Sequence, residues 1–265
     1  MPFDPKSYEN YEFFTVTTLS KGVAHVQYTN PKTLNAYTNQ NWKDYGEILT
    51  RLDKEDDILV IVISSGVPKS FSSGLNMKTA MEMSKNTPKD DKERYNLYHD
   101  YIKDFQDACT VPARINKPTI GILNGINYGL ALDLASAYSI RIGVEGARFS
   151  IAEVNIGISA DMGSLQRMPR ITNNASKLMQ HGLLGDVFDL KEAVEIGYLS
   201  TTVKSVEEGI KLAGEWGHKM TQFQRWAITG TKKHIQDILN GTTHEQGLTD
   251  IREHNAENFT RGTKL

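Results

Sequence analysis

Three carboxylates stand alone in the least charged part of the chain. Asp133 is the only charged residue from position 118 to 140, and Glu153 and Asp161 are the only ones from 149 to 166. An ionised carboxylate in apolar surroundings must find donors or take up a proton, so its pKa rises. A raised pKa suits a group that moves protons to and from carbon near neutral pH. These residues are therefore candidate acid and base groups.

Each of these acids also has a purely structural interpretation. Asp133 could cap a neighbouring loop, and Glu153 could pair with an arginine. Asp161 could cap the helix that is predicted to begin near Gly163. Taken one residue at a time, the sequence favours these structural roles. Only the recurrence of isolated acids within one apolar region favours a shared site.

Two glycine-containing turns add a second kind of chemistry. The segment 71–77 (FSSGLNM) places Gly74 after a predicted strand, and 124–130 (NGINYGL) places Gly125 and Gly129 ahead of a predicted helix. Free backbone N–H groups at such turns can hold a developing negative oxygen. The glycine spacing matches neither a phosphate loop nor a dinucleotide fingerprint. Backbone N–H groups of turns near buried acids favour a site that stabilises an enolate. The alternative interpretation is that these glycines only form turns.

The elements that must position these groups indicate an α/β fold. Residues 14–19 and 22–28 are rich in β-branched and aromatic types, which predicts a hairpin. Thr38 precedes apolar residues at helical spacing, which predicts a capped amphipathic helix. The runs 58–63 and 119–123 are apolar on both faces, as in buried strands of a parallel sheet. Strands that alternate with helices require crossover connections.

The later part of the chain continues this alternation. Further strands are predicted at 139–143 and 148–151, and the sequence after Leu165 is mostly helical. The stretch 81–93 (MEMSKNTPKDDKE) is the most polar, which predicts a mobile loop.

Composition excludes several classes of protein. The 265 residues suffice for one large domain or two small ones, and 30 Lys+Arg against 32 Asp+Glu give no bulk attraction to nucleic acid. Cys109 is the only cysteine, so an internal disulfide and a cysteine-rich metal site are excluded. The histidines are scattered without ligand spacing, so no metal site is predicted. No apolar run approaches the ~20 residues of a membrane helix, and no N-terminal address is visible.

The motifs together resemble the crotonase (enoyl-CoA hydratase/isomerase) superfamily over nearly the whole length. The resemblance is carried by segments 30–36 (NPKTLNA), 71–77, 117–125 (KPTIGILNG) and 149–169. It implies a spiral of ββα turns over residues 1–200 and a C-terminal helical region, 201–265, that joins subunits into trimers or hexamers. It also implies that the backbone N–H groups of Leu75 and Leu130 form an oxyanion hole for a thioester enolate.

The acids indicate which branch of the superfamily the chain resembles. Hydratases of this family carry glutamates at the positions of Asp133 and Glu153, whereas fungal Δ3,Δ2-enoyl-CoA isomerases rely on an acid near the position of Asp161. An Asp, Glu, Asp set resembles Δ3,5-Δ2,4-dienoyl-CoA isomerase most closely. The resemblance then implies that Glu153 exchanges a proton with C2 of the substrate and that Asp161 exchanges one with C6. It also implies that Asp133 orients this pair of acids or balances its charge. A Δ3,Δ2-enoyl-CoA isomerase is the first alternative, ahead of a hydratase or a non-catalytic acyl-CoA-binding subunit.

The same resemblance implies where an acyl-CoA thioester binds. CoA is part of the substrate, so no separate cofactor is expected. One departure from the family pattern is the sequence Gly129-Leu130-Ala131 in place of three glycines, which keeps the alternative isomerase open. The implied substrate-binding residues are Lys32, Leu34, Ala36, Ser73, Gly74, Asn76, Met77 and Gly129.

The last residues of the sequence resemble a targeting signal. Thr263, Lys264 and Leu265 differ by one small hydroxyl residue from the Ser-Lys-Leu peroxisomal signal. An import receptor for such a signal grips the terminal carboxylate and the flanking side chains. We therefore expect a peroxisomal location.

Overall fold

Two sheets and their covering helices make up the computed structural model, which describes residues 2–85 and 87–261. The strands are β1 (Phe14–Ser20), β2 (Val23–Tyr28), β3 (Val60–Ser65), β4 (Ser70–Ser72), β5 (Thr119–Leu123), β6 (Ile126–Tyr128), β7 (Ile140–Val144), β8 (Arg148–Ser150), β9 (Phe188–Asp189) and β10 (Thr201–Val203). The α-helices are α1 (Asn39–Asp53), α2 (Met77–Lys85), α3 (Asp91–Arg114), α4 (Leu130–Ser136), α5 (Ser164–Ile171), α6 (Ala175–Leu184), α7 (Leu190–Glu195), α8 (Val206–Thr221), α9 (Arg225–Leu239) and α10 (His244–Thr260).

The strand order confirms the predicted spiral. The larger sheet has the order β1-β2-β3-β5-β7-β10 and the smaller one the order β4-β6-β8-β9. Among the paired strands of the described residues, β1 with β2 and β8 with β9 run antiparallel, and the other pairs run parallel. Each of the pairs β3/β4, β5/β6 and β7/β8 places its first strand in the larger sheet and its second in the smaller. Successive turns of the chain therefore stack along both sheets.

The two faces of β3 explain why its sequence is apolar throughout. Ile61 and Ile63 join the main core with α1 and α4, whereas Val60 and Val62 face a second core beneath α8. A parallel strand covered on both faces is expected to read as a continuous apolar run. The prediction from residues 58–63 is thus confirmed.

Local signals near the N-terminus are also confirmed. The hairpin of β1 and β2 turns at Gly22, whose φ of 83° favours glycine. Thr38 caps α1, and its side-chain oxygen accepts the N–H of Asn41 at 3.3 Å.

The predicted mobile loop at 81–93 is wrong over most of its length. Residues 81–85 belong to α2, and residues from 91 onward form the first turn of α3. Asp90 caps α3 by accepting the N–H groups of Lys92 and Glu93, both at 3.0 Å. The polar composition that suggested a loop belongs to exposed helix faces and a capping residue.

The last helices leave the sheet layer. Strand β10 pairs with β7, and α8 covers the larger sheet, so both belong to this layer although they follow residue 200. Helix α9 packs on α5 and on α10. None of the helices in the described part of the chain is both long and apolar enough to cross a membrane.

Candidate active site

Asp133 lies in α4, a short helix whose residues are all buried. Its Oδ1 accepts the backbone N–H of Ser164 at 2.7 Å. Burial raises the pKa of Asp133 to about 6, although the hydrogen bond from Ser164 and the charge of Arg167 both lower it. The carboxylate therefore holds the first turn of α5, which is the capping role that the sequence left open.

Glu153 begins a 3₁₀ turn, Glu153–Ile156, directly after β8. Its side chain is buried, and its Oε2 has no hydrogen-bond partner among the described residues. Burial raises the pKa of Glu153 to about 7, and the nearby Asp133 and Asp161 contribute to the increase. No arginine in the described part of the chain forms an ion pair with it. A buried carboxyl group with one oxygen free of hydrogen bonds in the described structure is available for proton transfer.

Asp161 precedes α5 and is only half-buried. Its carbonyl accepts the side-chain N–H of Gln106 at 2.7 Å, and burial raises the pKa of its carboxyl group. It does not cap α5, whose N-cap is Gly163 without a side-chain hydrogen bond. Asp161 instead borders a cavity of about 870 Å³ between α3 and the start of α5. The structural interpretation of this acid is wrong.

The two glycine turns meet each other. A Cβ atom on Gly74 would lie 2.8 Å from the carbonyl oxygen of Tyr128 and 3.7 Å from the nitrogen of Leu130, and its φ is 101°. Only glycine allows this approach and this conformation. The N–H groups of Leu75 and Leu130 donate no hydrogen bond within the described residues. The structure thus brings the two predicted oxyanion donors side by side.

Gly129 links these donors to the acids. Its φ of 56° and ψ of −119° suit glycine, and its N–H donates to the carbonyl of Ser150 at 2.9 Å. A Cβ atom here would lie 3.2 Å from Oε1 of Glu153. Glu153 therefore lies against the turn that presents the N–H of Leu130.

Seven of the eight predicted substrate-binding residues, all except Gly129 at the start of α4, lie along two adjacent segments. The N–H of Ser73 donates to the carbonyl of Leu34 at 3.0 Å, and the N–H of Asn76 donates to the carbonyl of Tyr37 at 2.9 Å. The segment 32–37 therefore runs beside 73–77, next to the N–H of Leu75. Lys32 and Met77 are exposed at this edge, whereas Ala36 is buried. Their roles in binding stay predictions.

Sequence reasoning missed three residues that shape the site. Asn35 has a φ of 59° and is fully buried, and its side-chain N–H groups reach Tyr28, Ser65 and Phe71. Its signal was an asparagine in a short turn, since asparagine tolerates this conformation. The other two, Gln106 and Arg167, bind backbone carbonyls beside the acids. No local pattern marks them, because their partners are distant in sequence.

Comparisons with known proteins show the family to which the chain belongs. A family model described as enoyl-CoA hydratase/isomerase matches residues 18–264. A mitochondrial Δ3,5-Δ2,4-dienoyl-CoA isomerase of Rattus norvegicus is 33% identical over 224 residues, covering 84% of this chain and 68% of that protein. A peroxisomal Δ3,5-Δ2,4-dienoyl-CoA isomerase of Arabidopsis thaliana is 33% identical over 233 residues, covering 86% and 81% respectively.

Solved structures share the fold at lower identity. An enoyl-CoA hydratase from Bacillus anthracis has a TM-score of 0.82 at 19% identity, covering 92% of this chain and 90% of that one. DspI of Pseudomonas aeruginosa has a TM-score of 0.83 at 21% identity, covering 97% and 92%. The resemblance to the crotonase superfamily and to its dienoyl-CoA isomerases is confirmed. The chain therefore belongs to the enoyl-CoA hydratase/isomerase family and is an isomerase enzyme of that family.

Proposed function

We propose that the protein converts 3,5-dienoyl-CoA to 2,4-dienoyl-CoA during the oxidation of unsaturated fatty acids. The observation that carries this proposal is the buried carboxyl of Glu153, whose Oε2 has no hydrogen-bond partner in the described structure and which lies against the turn that presents the N–H of Leu130. A second acid, Asp161, borders the cavity between α3 and the start of α5, and its charge acts on Glu153. The relatives named Δ3,5-Δ2,4-dienoyl-CoA isomerase support the choice of substrate.

The mechanism follows from this arrangement. The N–H groups of Leu75 and Leu130 hold the thioester oxygen, so negative charge can collect there. Ionised Glu153 takes a proton from C2, and the resulting trienolate spreads its charge along the chain. Protonated Asp161 then gives a proton to C6, and the conjugated 2,4-diene results. One proton leaves carbon and one arrives, so no redox cofactor takes part.

Asp133 has a different task in this scheme. Its Oδ1 is occupied by the N–H of Ser164, so it orients α5 and acts on Glu153 through its charge. In the family's hydratases a glutamate is implied at this position. A shorter carboxylate already bound to a backbone N–H is poorly placed to hold a water for hydration. This hydrogen bond supports the isomerase over the hydratase.

The proposal extends to binding and assembly. Lys32 is exposed beside the segment 73–77, where a cation can attract the phosphates of CoA.

A homo-oligomer is supported by apolar side chains exposed on α6 and the adjoining 3₁₀ turn. These side chains form an apolar patch of Val154, Ile156, Ile158, Met179, Leu183 and Leu184.

A peroxisomal location is the last part of the proposal. It is supported by the Arabidopsis thaliana relative named peroxisomal, although the rat relative is named mitochondrial. The residues of the predicted import signal, Thr263, Lys264 and Leu265, lie outside the described part of the chain. Deletion of Leu265 from a protein with a fluorescent N-terminal fusion is expected to abolish import. Unchanged peroxisomal fluorescence would contradict the signal.

One assay tests the proposed reaction. Purified protein is supplied with 3,5-dienoyl-CoA, and the ultraviolet absorbance of the conjugated 2,4-dienoyl product is followed. We expect rapid formation of that product. In parallel arms, 3-enoyl-CoA tests the Δ3,Δ2-isomerase and 2-enoyl-CoA tests the hydratase. Turnover of either alternative without a dienoyl signal would overturn the proposal.

A further inference from the structure

Arg167 joins the backbones that carry two of the acids. It projects from α5, and its Nη2 donates to the carbonyl of Asp133 at 2.7 Å and to the carbonyl of Met162 at 2.9 Å. Met162 directly follows Asp161 in the chain. A single nitrogen therefore fixes the backbone of one acid and the backbone next to the other.

The remaining donors of the same guanidinium extend the connection. Its Nε donates to Oγ of Ser136 on α4 at 2.9 Å, and its Nη1 reaches Oγ1 of Thr110 on α3 at 3.4 Å. A planar guanidinium offers these donors in a rigid fork, which fixes the relative positions of its partners. Three elements, α3, α4 and the segment before α5, are thus tied to one side chain.

Gly163 makes room for this arrangement. A Cβ atom at Gly163 would lie between 2.2 and 2.4 Å from Nη1, Nη2 and Cζ of Arg167, and its φ is 118°. No other residue combines this conformation with this space. The glycine that begins α5 is therefore matched to the arginine one turn later.

The charge of Arg167 acts on Asp133 without an ion pair in the described structure. No carboxylate in the described part of the chain forms a salt bridge with it. The titratable groups that face it are Asp133, Cys109, Tyr45 and Tyr198. Only Asp133 among them is a carboxylate, and the arginine charge favours its ionised form.

We propose that Arg167 is a positioning residue that holds Asp133 and the Asp161 segment in register. The proposal rests on the function proposed above, in which Glu153 and Asp161 exchange protons with substrate. Displacement of a catalytic group by about 1 Å can reduce turnover ~100-fold, so a rigid tie between two acids matters.

The test uses three variants and a matched control. Arg167→Met removes both charge and donors, Arg167→Lys keeps the charge but loses the fork, and Gly163→Ala displaces the guanidinium. Arg170→Met is the control, because Arg170 lies on the same helix but donates to the carbonyl of Leu239 instead. For each, kcat and KM with 3,5-dienoyl-CoA are measured together with thermal unfolding.

A second readout needs no turnover. Carboxyl ¹³C signals of labelled aspartate are titrated by NMR, and Asp133→Asn identifies the signal of that residue. In Arg167→Met we expect kcat to fall about 100-fold with KM nearly unchanged, and the Asp133 titration to move up by roughly one unit. Arg167→Lys should lose about tenfold in kcat without that shift, and Arg170→Met should match the wild type.

Several outcomes would overturn the proposal. One is a folded Arg167→Met protein with native kcat, or with an unmoved Asp133 titration. If Arg167→Met does not fold, native kcat in both Arg167→Lys and Gly163→Ala decides against it. Wild-type protein that does not isomerise 3,5-dienoyl-CoA would refute the proposed function alone, since the titration still reports whether Arg167 acts on Asp133.

Discussion

Glu153 and Asp133 both carry a carboxyl group, and the surroundings of each group give it a different role. Both carboxyl groups are buried, yet Asp133 accepts a backbone N–H whereas Oε2 of Glu153 has no partner in the described structure. Burial raises the pKa of Asp133 to about 6 even though the hydrogen bond from Ser164 lowers it, and burial raises the pKa of Glu153 to about 7. The group that is left without a partner is the one suited to exchange protons.

Substitution of the exchanging acids is expected to abolish turnover. Glu153→Gln and Asp161→Asn keep the shape of each side chain but remove its proton-transfer chemistry, which contributes roughly 10² to 10⁴ in rate. We expect dienoyl turnover to fall by at least this factor while CoA binding, measured by calorimetry, persists. Full activity in Asp161→Asn would refute its assignment to C6.

The raised pKa of Glu153 also predicts how activity depends on pH. Glu153 must be ionised to accept a proton from C2, so kcat/KM should fall as the pH drops below about 7. The pKa that this fall in kcat/KM reports belongs to the coupled acids as a group rather than to one residue. A pH profile that is flat across this range would contradict the role of Glu153.

Glu153 is also expected to lower the stability of the folded protein as the pH rises. A carboxyl whose pKa is higher in the folded protein than in the unfolded chain binds its proton more tightly when folded, so stability falls as pH rises from about 4.5 to about 7. Glu153→Gln removes this loss, which is on the order of 3 kcal/mol. Denaturant unfolding at pH 8 should therefore show a more stable variant, and equal stability would argue against a buried charge.

At the residue scale, the sequence identified the acids but not their supports. Isolated charges in an apolar region are visible without a structure, and Asp133, Glu153 and Asp161 do influence one another. The supporting side chains Gln106 and Arg167 act on backbone carbonyls far along the chain. Such contacts depend on tertiary packing, so no sequence period reports them.

At the element scale, buried lysines fasten helix ends. Nζ of Lys117 donates to the carbonyls of Leu52 and Glu55 at the end of α1, both at 2.5 Å. Nζ of Lys232, on α9, donates to the carbonyls of Pro112 and Ile115 at the end of α3. Helix C-termini leave carbonyls without partners, and a cation satisfies them favourably.

Removal of Lys232 is expected to loosen α9. Lys232→Met takes the donor from the partly buried carbonyls of Pro112, Ile115 and Lys117, which should lower the free energy of unfolding by about 2 kcal/mol. Lys233→Met is the control, because Lys233 is exposed and pairs only with Asp237 on the same helix. That change should stay within about 0.5 kcal/mol. Equal effects of the two substitutions in urea unfolding would refute the fastening role.

Elements were predictable where local signals and tertiary packing agree. The hairpin, the helix capped by Thr38 and the buried strands follow from periodicity and capping, and all are present. The composition of the stretch 81–93 predicts a loop, because charged and polar residues dominate it. A helix that rests one face on the protein and exposes the rest has the same composition, so composition alone did not separate the two.

At the scale of the whole molecule, the exposed apolar patch predicts association. Leu183 and Leu184 are 69% and 62% exposed, next to the turn that begins with Glu153. We expect light scattering to show an oligomer and Leu183→Glu with Leu184→Glu to reduce it towards a monomer. Lys211→Glu, on α8 outside the patch, is the control. A wild-type monomer would contradict the prediction.

The spiral has a consequence for how the protein is made. The face of the larger sheet formed by Val60, Val62, Ile120 and Ile122 is covered by α8, residues Val206–Thr221. During synthesis these strands leave the ribosome long before their cover does, at about 5 to 20 residues per second. The nascent chain therefore carries a bare apolar surface for several seconds, and chaperones that shield such surfaces should bind it until α8 emerges.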